Sequence, residues 1–436
     1  MRRAVKAGRT LLIDGPASAM LVSGEVSALG APITVGRQIV VRYGKRIPFR
    51  ASKDSEFELS LGNSASISEV EGDTIPELWW RTIEGIISSG RPSSVLVIGG
   101  VDTGKTSFCT CLANRAIKEG WKVAVIDGDP GQSDIGPPGT IGLCCLENYV
   151  VDLFETCPAS LIFLGVITPS RALNAVVEAV ISLTEKASRM GVDLTIINTD
   201  GWVDGDEAVN YKVRLIEGVA PNVVVGIQGE GELNPILSKV DGDRAITINK
   251  PDAVKRRNRE ARRSLRELAY KRYLKGAKVR TYPIKWVKLE GGFMGFLEDE
   301  TPIGFYTEGG GLDELHRLNP IYMEETSGRV LLIIDENQVV SKDQMRRIES
   351  SIGKSVIIIR GRCGSGPLVG LKDSDGNLMG IGIILGVDLR KNVVKLYTPV
   401  EGVISTVHVG QLVLDKMGRE VEVICEHGGG LTDKAY

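Results

Sequence analysis

The sequence predicts an α/β protein in which a central domain with a parallel sheet is flanked by a β domain on each side. Between residues 95 and 250, continuous apolar segments alternate with stretches of helical periodicity, which is typical of parallel strands covered on both faces. Before and after this region, short runs of alternating polarity are separated by Gly, Pro, Ser and Asn, as in antiparallel β structure. The 436 residues leave room for roughly two to four domains.

The composition is that of a globular protein and excludes several other classes. The chain is 42% hydrophobic and 25% charged with a formal net charge of −2, so it is neither disordered nor broadly basic. Its seven Cys form no C-x-x-C pair and its three His lie far apart, which argues against a zinc site or a disulfide framework. The sequence shows no leader and no spanning apolar segment, so we expect a soluble cytoplasmic protein with no membrane contact.

The domain boundaries are predicted from changes in pattern. Thr74 followed by Glu77 has the form of a capping box, which predicts that the first long helix begins where the N-terminal strands end. A turn at 374–377 separates two apolar runs of the C-terminal region, as in a β-hairpin. The predicted domains are 1–73, 74–277 and 278–436.

The central domain is predicted to contain at least five buried strands. Each is an apolar run of four or five residues without the alternation of a half-exposed strand. Their ranges are 95–98, 123–126, 161–164, 194–197 and 223–227. A further strand is predicted at 245–248.

A phosphate-binding loop is predicted directly after the first of these strands. Residues 99–106, GGVDTGKT, match G-x-x-x-x-G-K-[ST] between an apolar strand and a helical pattern, which is the context that this motif requires. In such a loop Lys105 contacts the β- and γ-phosphates, and Thr106 offers its hydroxyl to Mg²⁺. The fold class is therefore a central P-loop NTPase domain between two β domains. The predicted nucleotide-binding residues are Gly100, Val101, Asp102, Thr103, Gly104, Lys105, Thr106 and Ser107.

Two carboxylates follow the next strand. Asp127 and Asp129 lie in the run DGDPGQ, and the carboxyl ends of parallel strands face the ligand crevice of an α/β sheet. One carboxylate is expected to hold Mg²⁺, and the other is free to take a proton from an attacking hydroxyl. The alternative is that both only cap the following turn.

Two further residues are predicted on the same edge of the sheet. Trp202 comes just after the strand 194–197, and it either stacks on a base or packs in the core. Thr168 comes just after the strand 161–164, and it either closes on the phosphates or belongs to a plain loop.

Residues 254–276 are strongly basic, with ten Lys or Arg and two Glu. Pro251 and Asp252 at the start and Gly276 at the end predict a helix over 251–276. Arginine suits bidentate phosphate contacts and stabilises charge on a transferring phosphoryl group, so we predict a phosphate-handling lid. A solvated charged face is the alternative. The residues predicted to pack as one stripe are Val254, Ala261, Leu265 and Leu268.

Together these motifs resemble the polynucleotide 5′-hydroxyl kinase family. The family includes archaeal RNA 5′-kinases and the eukaryotic RNA kinases of mRNA 3′-end formation, tRNA splicing and pre-rRNA processing. The resemblance covers nearly the whole chain, and its most specific part is the full match of residues 127–132 to the family's D-x-D-x-G-Q signature. Other similar segments are the P-loop variant at 100–106, the clasp loop at 168–169, the T-x-G-W segment at 199–202, the lid helix ending at 273–276, and the flanks at 11–48 and 366–399.

The resemblance implies ATP-dependent transfer of the γ-phosphate to the 5′-OH of RNA, or of DNA, with Mg²⁺ as cofactor. It implies that Asp129 activates the 5′-hydroxyl, while Thr106 and Asp127 organise the metal. The catalytic residues implied in this way are Lys105, Asp129, Arg263 and Arg266, with Arg262 behind the two lid arginines. The implied substrate contacts are Gln132, Thr168 and Trp202, the last as a platform for the terminal base.

Two other functions stay open at this point. A non-catalytic ATP-binding scaffold of an RNA-processing complex would share the loop, although the presence of every catalytic residue type argues against it. A P-loop ATPase or GTPase is the third hypothesis. Residues 249–252 carry the letters of the guanine-binding N-K-x-D motif after a predicted strand, but Pro251 is also the predicted start of the basic helix.

Overall fold

The computed structural model describes residues 1–292, 312–388, 390–421 and 424–426. The chain divides into two compact units. The first consists of Met1–Gly136, Thr140–Leu161 and Ile167–Leu265, and the second of Pro137–Gly139, Ile162–Val166 and the described residues from Arg266 onward. Since the first unit holds both the N-terminal strands and the central sheet, the predicted three-domain boundaries stay predictions. No helix within the described ranges is both long enough and apolar enough to cross a membrane.

The N-terminal region of the first unit consists of two antiparallel sheets. The strands are Arg2–Val5 (β1), Arg9–Asp14 (β2), Ala17–Ser23 (β3), Val26–Ala28 (β4), Ala31–Pro32 (β5), Gln38–Val41 (β6), Arg46–Ala51 (β7), Ser55–Leu61 (β8) and Ser66–Glu71 (β9). The sheet orders are β1-β8-β3-β6 and β5-β4-β7-β2-β9. Burial alternates along β3, and the buried sides of the strands meet in a core that contains Leu11, Phe49 and Phe57. The predicted N-terminal β domain is thus present.

The central sheet has seven strands in the order β13-β12-β11-β14-β10-β15-β16. They are Ser93–Gly99 (β10), Val123–Gly128 (β11), Thr140–Leu146 (β12), Ser160–Phe163 (β13), Leu194–Thr199 (β14), Val223–Gln228 (β15) and Ala245–Asn249 (β16). The helices that accompany them are Glu77–Ser88 (α1), Lys105–Lys118 (α2), Leu173–Arg189 (α3), Asp206–Val219 (α4), Asn234–Leu237 (α5) and Arg259–Tyr273 (α6). Five of the strands, β10, β11, β14, β15 and β16, pair in parallel as the sequence predicts.

The sheet is mixed, which corrects the prediction of an all-parallel sheet. β12 was not predicted, and it pairs antiparallel with β11. An antiparallel return needs no crossover helix, so the loop between Gly128 and Thr140 is enough to bring the chain back. The alternation of strands and helices in the sequence therefore did not reveal it.

Helix α1 begins two residues later than the capping box predicts. Pro76 occupies the N-cap position, and the helix has no side-chain capping bond. Asp73 is the residue that holds this corner, because its carboxylate accepts hydrogen bonds from the Ile75 N–H at 3.0 Å and from Trp80 Nε1 at 3.2 Å. The predicted cap by Thr74 is therefore wrong, and the Asp73 carboxylate fixes the chain before the helix instead.

The basic helix is shorter than predicted, since α6 begins at Arg259 and not at Pro251. Asn258 caps it through a 2.8 Å bond from the Ala261 N–H to Oδ1. The preceding segment is held by tertiary bonds, including one from Arg46 Nη1 to the Ala253 carbonyl at 3.0 Å. The predicted apolar stripe is also wrong in part. Leu268 is 51% exposed, whereas the neighbouring Ala269 and Tyr270 are buried.

The described part of the second unit is mainly β, as the predicted C-terminal domain requires, and it also contains helices after α6. The strands are Lys278–Pro283 (β17), Lys288–Gly291 (β18), Tyr322–Glu325 (β19), Arg329–Asp335 (β20), Ser355–Gly361 (β21), Ser365–Lys372 (β22), Leu378–Asp388 (β23), Val393–Thr398 (β24), Thr406–Asp415 (β25) and Ile424–Glu426 (β26), and the helices are Leu312–Arg317 (α7) and Lys342–Ile352 (α8). The sheet orders are β17-β24-β23-β22-β25-β18 and β19-β20-β21-β26. The predicted turn at 374–377 connects β22 to β23.

A buried asparagine ties the N-terminal sheets to the central domain within the first unit. Asn114 on α2 is fully buried, and its Nδ2 donates to the carbonyls of Leu29 and Val150 at 2.8 and 2.7 Å. Its Oδ1 accepts from the Val150 N–H at 2.9 Å. One side chain thus satisfies three backbone groups that have lost contact with water.

Replacing Asn114 with alanine should strongly destabilise the protein. Two buried carbonyls and one N–H would lose their partners, and the expected loss is about 3 kcal/mol in the free energy of unfolding. Urea denaturation would measure it, with Asn210→Ala on the exposed side of α4 as the control that should stay near wild type. Equal stability of the two variants would show that Asn114 does not join these elements.

Candidate active site

The phosphate-binding loop lies between β10 and α2, as predicted. β10 ends at Gly99, and α2 begins at Lys105 after Gly104, which has a φ of 95°. A Cβ atom at Gly104 would lie 3.0 Å from the Trp79 ring, in a backbone region that residues with a side chain rarely adopt. Glycine is therefore required at this position, where the N-terminus of α2 adds positive potential for an anion.

Lys105 turns back along the loop. Its Nζ donates hydrogen bonds to the carbonyls of Gly99 and Gly100 at 2.9 and 2.8 Å. Burial lowers the pKa of Lys105 to about 8; the charge of Asp129 opposes this effect and the charge of Lys212 adds to it. Phosphate oxygens beside this ammonium would favour its charged form, which makes Lys105 suited to neutralising a polyphosphate.

Asp127, near the end of β11, is fully buried. Its carboxylate accepts hydrogen bonds from the Asp134 N–H at 2.6 Å and from Asn198 Nδ2 at 3.0 Å. Burial raises the pKa of Asp127 to about 7, and the charges of Asp134 and Asp129 contribute to the increase. A cation beside this carboxylate would stabilise its ionised form.

Oxygen atoms of the kind that Mg²⁺ prefers lie close to Asp127. Asn198 Nδ2 is also 3.4 Å from Thr106 Oγ1, and Asn198 Oδ1 is buried with no hydrogen-bond partner among the described residues. Hydroxyl, carboxylate and amide oxygens are hard ligands, and Mg²⁺ usually combines one or two carboxylates with water and phosphate. The described part of the chain has no group of three or more His, Cys, Asp or Glu that could hold a metal ion. The residues therefore fit a Mg²⁺ that would be shared with a nucleotide, and Thr106 and Asp127 are the residues that would hold it.

Asp129 shapes the loop that follows β11. Its Oδ1 accepts hydrogen bonds from the N–H groups of Gly131 and Gln132 at 2.9 and 3.0 Å. Burial and the charge of Asp200 raise the pKa of Asp129, while Lys105 opposes the increase. Both hypotheses from the sequence thus apply to this carboxylate, which caps a turn and is also more basic than an exposed aspartate. Its role as the base stays a prediction.

Gln132 and Thr168 lie on neighbouring loops. Gln132 is half-buried, and its Nε2 donates to the Gly131 carbonyl at 2.7 Å. A Cβ atom on Gly131 would lie 2.5 Å from the carbonyl oxygen of Ile167, so the loop of Gln132 abuts the residue before Thr168. Thr168 itself is exposed and precedes a single helical turn, Pro169–Arg171. Their roles as substrate contacts stay predictions.

Trp202 is half-buried, so it is not the core residue that one reading of the sequence allows. Its ring stacks on that of Tyr211, with centroids 5.9 Å apart and planes at 25°. Tyr211 belongs to α4 and is buried. One face of the indole is therefore covered by protein.

Sequence reasoning missed the polar group beneath Trp202. Asp200 Oδ2 accepts hydrogen bonds from Tyr211 Oη at 2.7 Å and from Lys212 Nζ at 2.8 Å. All three residues are buried, Lys212 completely. A signal was present in the sequence, because Lys212 falls on the apolar side of α4 between Ala208 and Leu215, where a lysine needs a buried partner.

Two arginines of the basic segment bind the phosphate loop at Asp102. The Asp102 carboxylate accepts from the Arg257 backbone N–H and from Arg257 Nη2, each at 2.8 Å, and from Arg262 Nη2 at 3.1 Å. Burial alone would raise the pKa of Asp102, but these bonds lower it below its usual value. Neither arginine was predicted as catalytic, and Arg262 was placed only behind the predicted pair.

Arg266, predicted as a catalytic lid residue, is paired elsewhere. Its Nη2 lies 2.8 Å from Glu420 Oε2, and both side chains are 13% exposed. Glu420 is far along the chain, in a region with no motif, so the sequence could not reveal this pair. Arg263 lies on the same helix, and its catalytic role stays a prediction.

The fold and the site define the class of protein: a P-loop protein whose central α/β domain is preceded and followed in the chain by β structure. Residues 99–276 match the family model of the mRNA cleavage and polyadenylation factor CLP1 P-loop. A polyribonucleotide 5′-hydroxyl-kinase of Pyrococcus horikoshii is 28% identical over 356 residues, which are 80% of this chain and 94% of that protein. The polyribonucleotide 5′-hydroxyl-kinase Clp1 of Xenopus tropicalis is 26% identical over 62% of this chain and 65% of its own length.

A solved structure of Clp1p in complex with Pcf11p has the same fold, with a TM-score of 0.65 and 14% identity over 94% of this chain and 97% of that one. The P-loop region thus matches the CLP1 family model, and the predicted resemblance to polynucleotide 5′-hydroxyl kinases is confirmed.

Asp127→Asn should change stability in a pH-dependent way. Because the folded-state pKa of about 7 lies above the unfolded value of about 4, the wild type loses stability as the pH rises through this window, and asparagine does not titrate. The free energy of unfolding of the variant relative to wild type should therefore increase by about 2–3 kcal/mol between pH 5 and pH 8 in metal-free buffer.

Urea denaturation at several pH values would measure this change. The exposed Asp204→Asn serves as the control and should follow the wild-type curve. A difference between Asp127→Asn and wild type that stays constant across the range would contradict the raised pKa.

Proposed function

We propose that this chain is an ATP-dependent polynucleotide 5′-hydroxyl kinase that acts on the 5′ ends of RNA. Two relatives carry the name polyribonucleotide 5′-hydroxyl-kinase, one archaeal and one vertebrate. The observation that carries the proposal is the order of three adjacent strands, β11-β14-β10. Asp129 follows the first, Trp202 the second and Lys105 the third, so the residues proposed as proton acceptor, base platform and phosphate-binding cation all follow the carboxyl ends of neighbouring strands.

The reaction forms a bond between O5′ of the acceptor and the γ-phosphorus of ATP and breaks the bond from that phosphorus to the bridging oxygen of ADP. Asp129 accepts the proton of the 5′-hydroxyl, for which its raised pKa is favourable. Lys105 neutralises charge on the phosphates during transfer. Bound Mg²⁺, held by Thr106 and Asp127, would add charge neutralisation.

The acceptor is expected to lie beside Trp202, whose ring can stack on the terminal base. Gln132 and Thr168 are proposed as further contacts to the acceptor. Stacking does not distinguish ribose from deoxyribose, so a DNA 5′ end is a second candidate acceptor.

The alternatives have less support from the residues. A non-catalytic scaffold has no need of two carboxylates beside the loop lysine, and the buried Asp127 and the half-buried Asp129 are both in place. Guanine selection by residues 249–252 has one structural point against it: the carbonyl of Asn249 accepts a 2.9 Å bond from Trp79 Nε1, so the backbone of this segment helps to hold α1. We therefore propose ATP as the donor. A cytoplasmic location stays a prediction.

The first experiment uses the purified chain, Mg²⁺, γ-labelled ATP or GTP, and short 5′-OH RNA and DNA oligonucleotides. Label on the 5′ end would establish the kinase together with its donor and acceptor preferences. Nucleotide binding without any transfer, at several temperatures, would overturn the proposal in favour of the scaffold.

Substituting Asp129 should separate chemistry from nucleotide binding. Asp129→Asn keeps the Oδ1 acceptor for Gly131 and Gln132 but removes the base, so kcat should fall by about 10²–10⁴-fold while ATP affinity stays near wild type. Asp129→Ala should lose transfer as well, and Lys105→Ala should weaken both binding and transfer. An equal loss of ATP affinity in Asp129→Asn would make this residue a metal ligand instead.

Arg266 and Glu420 provide a matched pair that decides the role of this arginine. If their ion pair is structural, Arg266→Met and Glu420→Gln should lower the free energy of unfolding by similar amounts, about 2 kcal/mol, with little change in kcat. Arg263→Met, at the other predicted lid position, should lower kcat more than Arg266→Met does. A large loss of kcat in Arg266→Met alone would restore its predicted catalytic role.

A further inference from the structure

A buried polar cluster lies under the predicted base platform. It consists of Asp200, Tyr211 and Lys212, and we refer to it as the Asp200 cluster. Asp200 and Tyr211 are 2% exposed and Lys212 is 0% exposed. Charged groups are rarely buried this deeply unless they are paired, and this pair has no place in the phosphoryl-transfer steps described above.

Both carboxylate oxygens of Asp200 are used. Oδ2 accepts from Tyr211 Oη and Lys212 Nζ, and Oδ1 accepts from the backbone N–H of Trp202 at 2.9 Å. Lys212 Nζ also donates to the Asp200 carbonyl at 3.1 Å. One carboxylate therefore fixes the backbone at Trp202 and, on the other side, the phenol ring on which the indole rests.

The stacking of Tyr211 on Trp202 limits where a base can bind. The Tyr211 ring covers one face of the Trp202 indole, with centroids 5.9 Å apart and nearly parallel planes. A base that stacks on Trp202 must then occupy the opposite face. Since the phenol is held by Asp200, and Asp200 by Lys212, the indole plane is set before any acceptor arrives.

The cluster also adjoins the reacting groups. The charge of Asp200 raises the pKa of Asp129, and the charge of Lys212 lowers that of Lys105. Lys212 balances the Asp200 charge directly at 2.8 Å, so the two together add little net charge beside the base. This balance lets a buried carboxylate organise the platform without adding an unpaired charge to the site.

We propose that Asp200, Tyr211 and Lys212 are positioning residues for the acceptor strand: they hold Trp202 in the orientation in which the terminal base stacks on it. The proposal rests on the proposed kinase function. According to this proposal, the Asp200 cluster contributes to the affinity for the 5′-terminal nucleotide and does not contribute to the binding of ATP.

The test is a double-mutant cycle between Tyr211 and Trp202. Tyr211→Leu removes the supporting ring, and Tyr211→Phe keeps the ring but removes the bond to Asp200. The KM for a short 5′-OH RNA should rise about ten-fold in Tyr211→Leu and about three-fold in Tyr211→Phe, with kcat and the KM for ATP within two-fold of wild type. In the Trp202→Ala background, Tyr211→Leu should have no further effect on the KM for RNA.

Two results would overturn the proposal. The first is a full effect of Tyr211→Leu in the Trp202→Ala background, which would mean that the ring does not act through the indole. The second is a parallel loss of kcat and ATP affinity, which a general structural role would produce. Asn210→Ala on the exposed side of α4 serves as the control and should match wild type. If Tyr211→Leu does not fold, Tyr211→Phe carries the same cycle.

The failure of the kinase proposal can be told apart from the failure of this one. Wild-type protein that transfers no label to any oligonucleotide would overturn the proposed function. The cycle can then be measured on the binding of a 3′-fluorescein RNA by anisotropy, where additive effects of Tyr211→Leu and Trp202→Ala on Kd would overturn the positioning role and non-additive effects would support it.

Discussion

The site depends on a buried carboxylate that is held from two sides. Asp127 is taken out of water at the end of β11, and the Asp134 backbone N–H binds it at 2.6 Å. Asp134 is fixed in turn by Arg42 Nη2 at 2.7 Å and Lys45 Nζ at 2.6 Å, both from the N-terminal region. Burial opposes ionisation of Asp134, but these two cations hold its pKa well below the usual value. The N-terminal sheets therefore help to set the position of the predicted metal ligand.

Ion pairs and hydrogen bonds from other elements also hold the basic segment in place. Asp14 on β2 binds Arg46 through a 2.8 Å pair, Arg46 binds the Ala253 carbonyl at 3.0 Å, and Arg257 then reaches Asp102 in the phosphate loop. In a helix that began earlier, the Ala253 carbonyl and the Arg257 N–H would bond to each other, but here they bind Arg46 and Asp102 instead. These bonds explain why the segment stays irregular up to Asn258 although its composition favours a helix. Arg257 contacts the phosphate loop from this irregular stretch, whereas Arg262 contacts it from α6.

The electrostatics of the sheet edge suit phosphoryl transfer. The pKa values of Asp127 and Asp129 are raised, and the pKa of the nearby Lys105 is lowered. The ionisation of each group would therefore shift readily if a nucleotide and its metal bound. The Asp200–Lys212 pair lies behind them and is already neutralised internally. Among the described residues, Asp127, Asp129 and Lys105 thus form no close ion pair, whereas Asp200 and Lys212 pair tightly with each other.

The sequence by itself determined the parallel strands, the phosphate loop, the two aspartates after β11 and the resemblance to the kinases. Each of these follows from local hydrophobic patterns or from short motifs. Tertiary structure alone decided the rest. Four features depend on how the folded chain packs: the antiparallel pairing of β12, the exposure of Leu268, the pair of Arg266 with Glu420, and the polar partners of Lys212. An ion pair produces no periodic pattern in the sequence, because the two charged residues come into contact only in the folded chain.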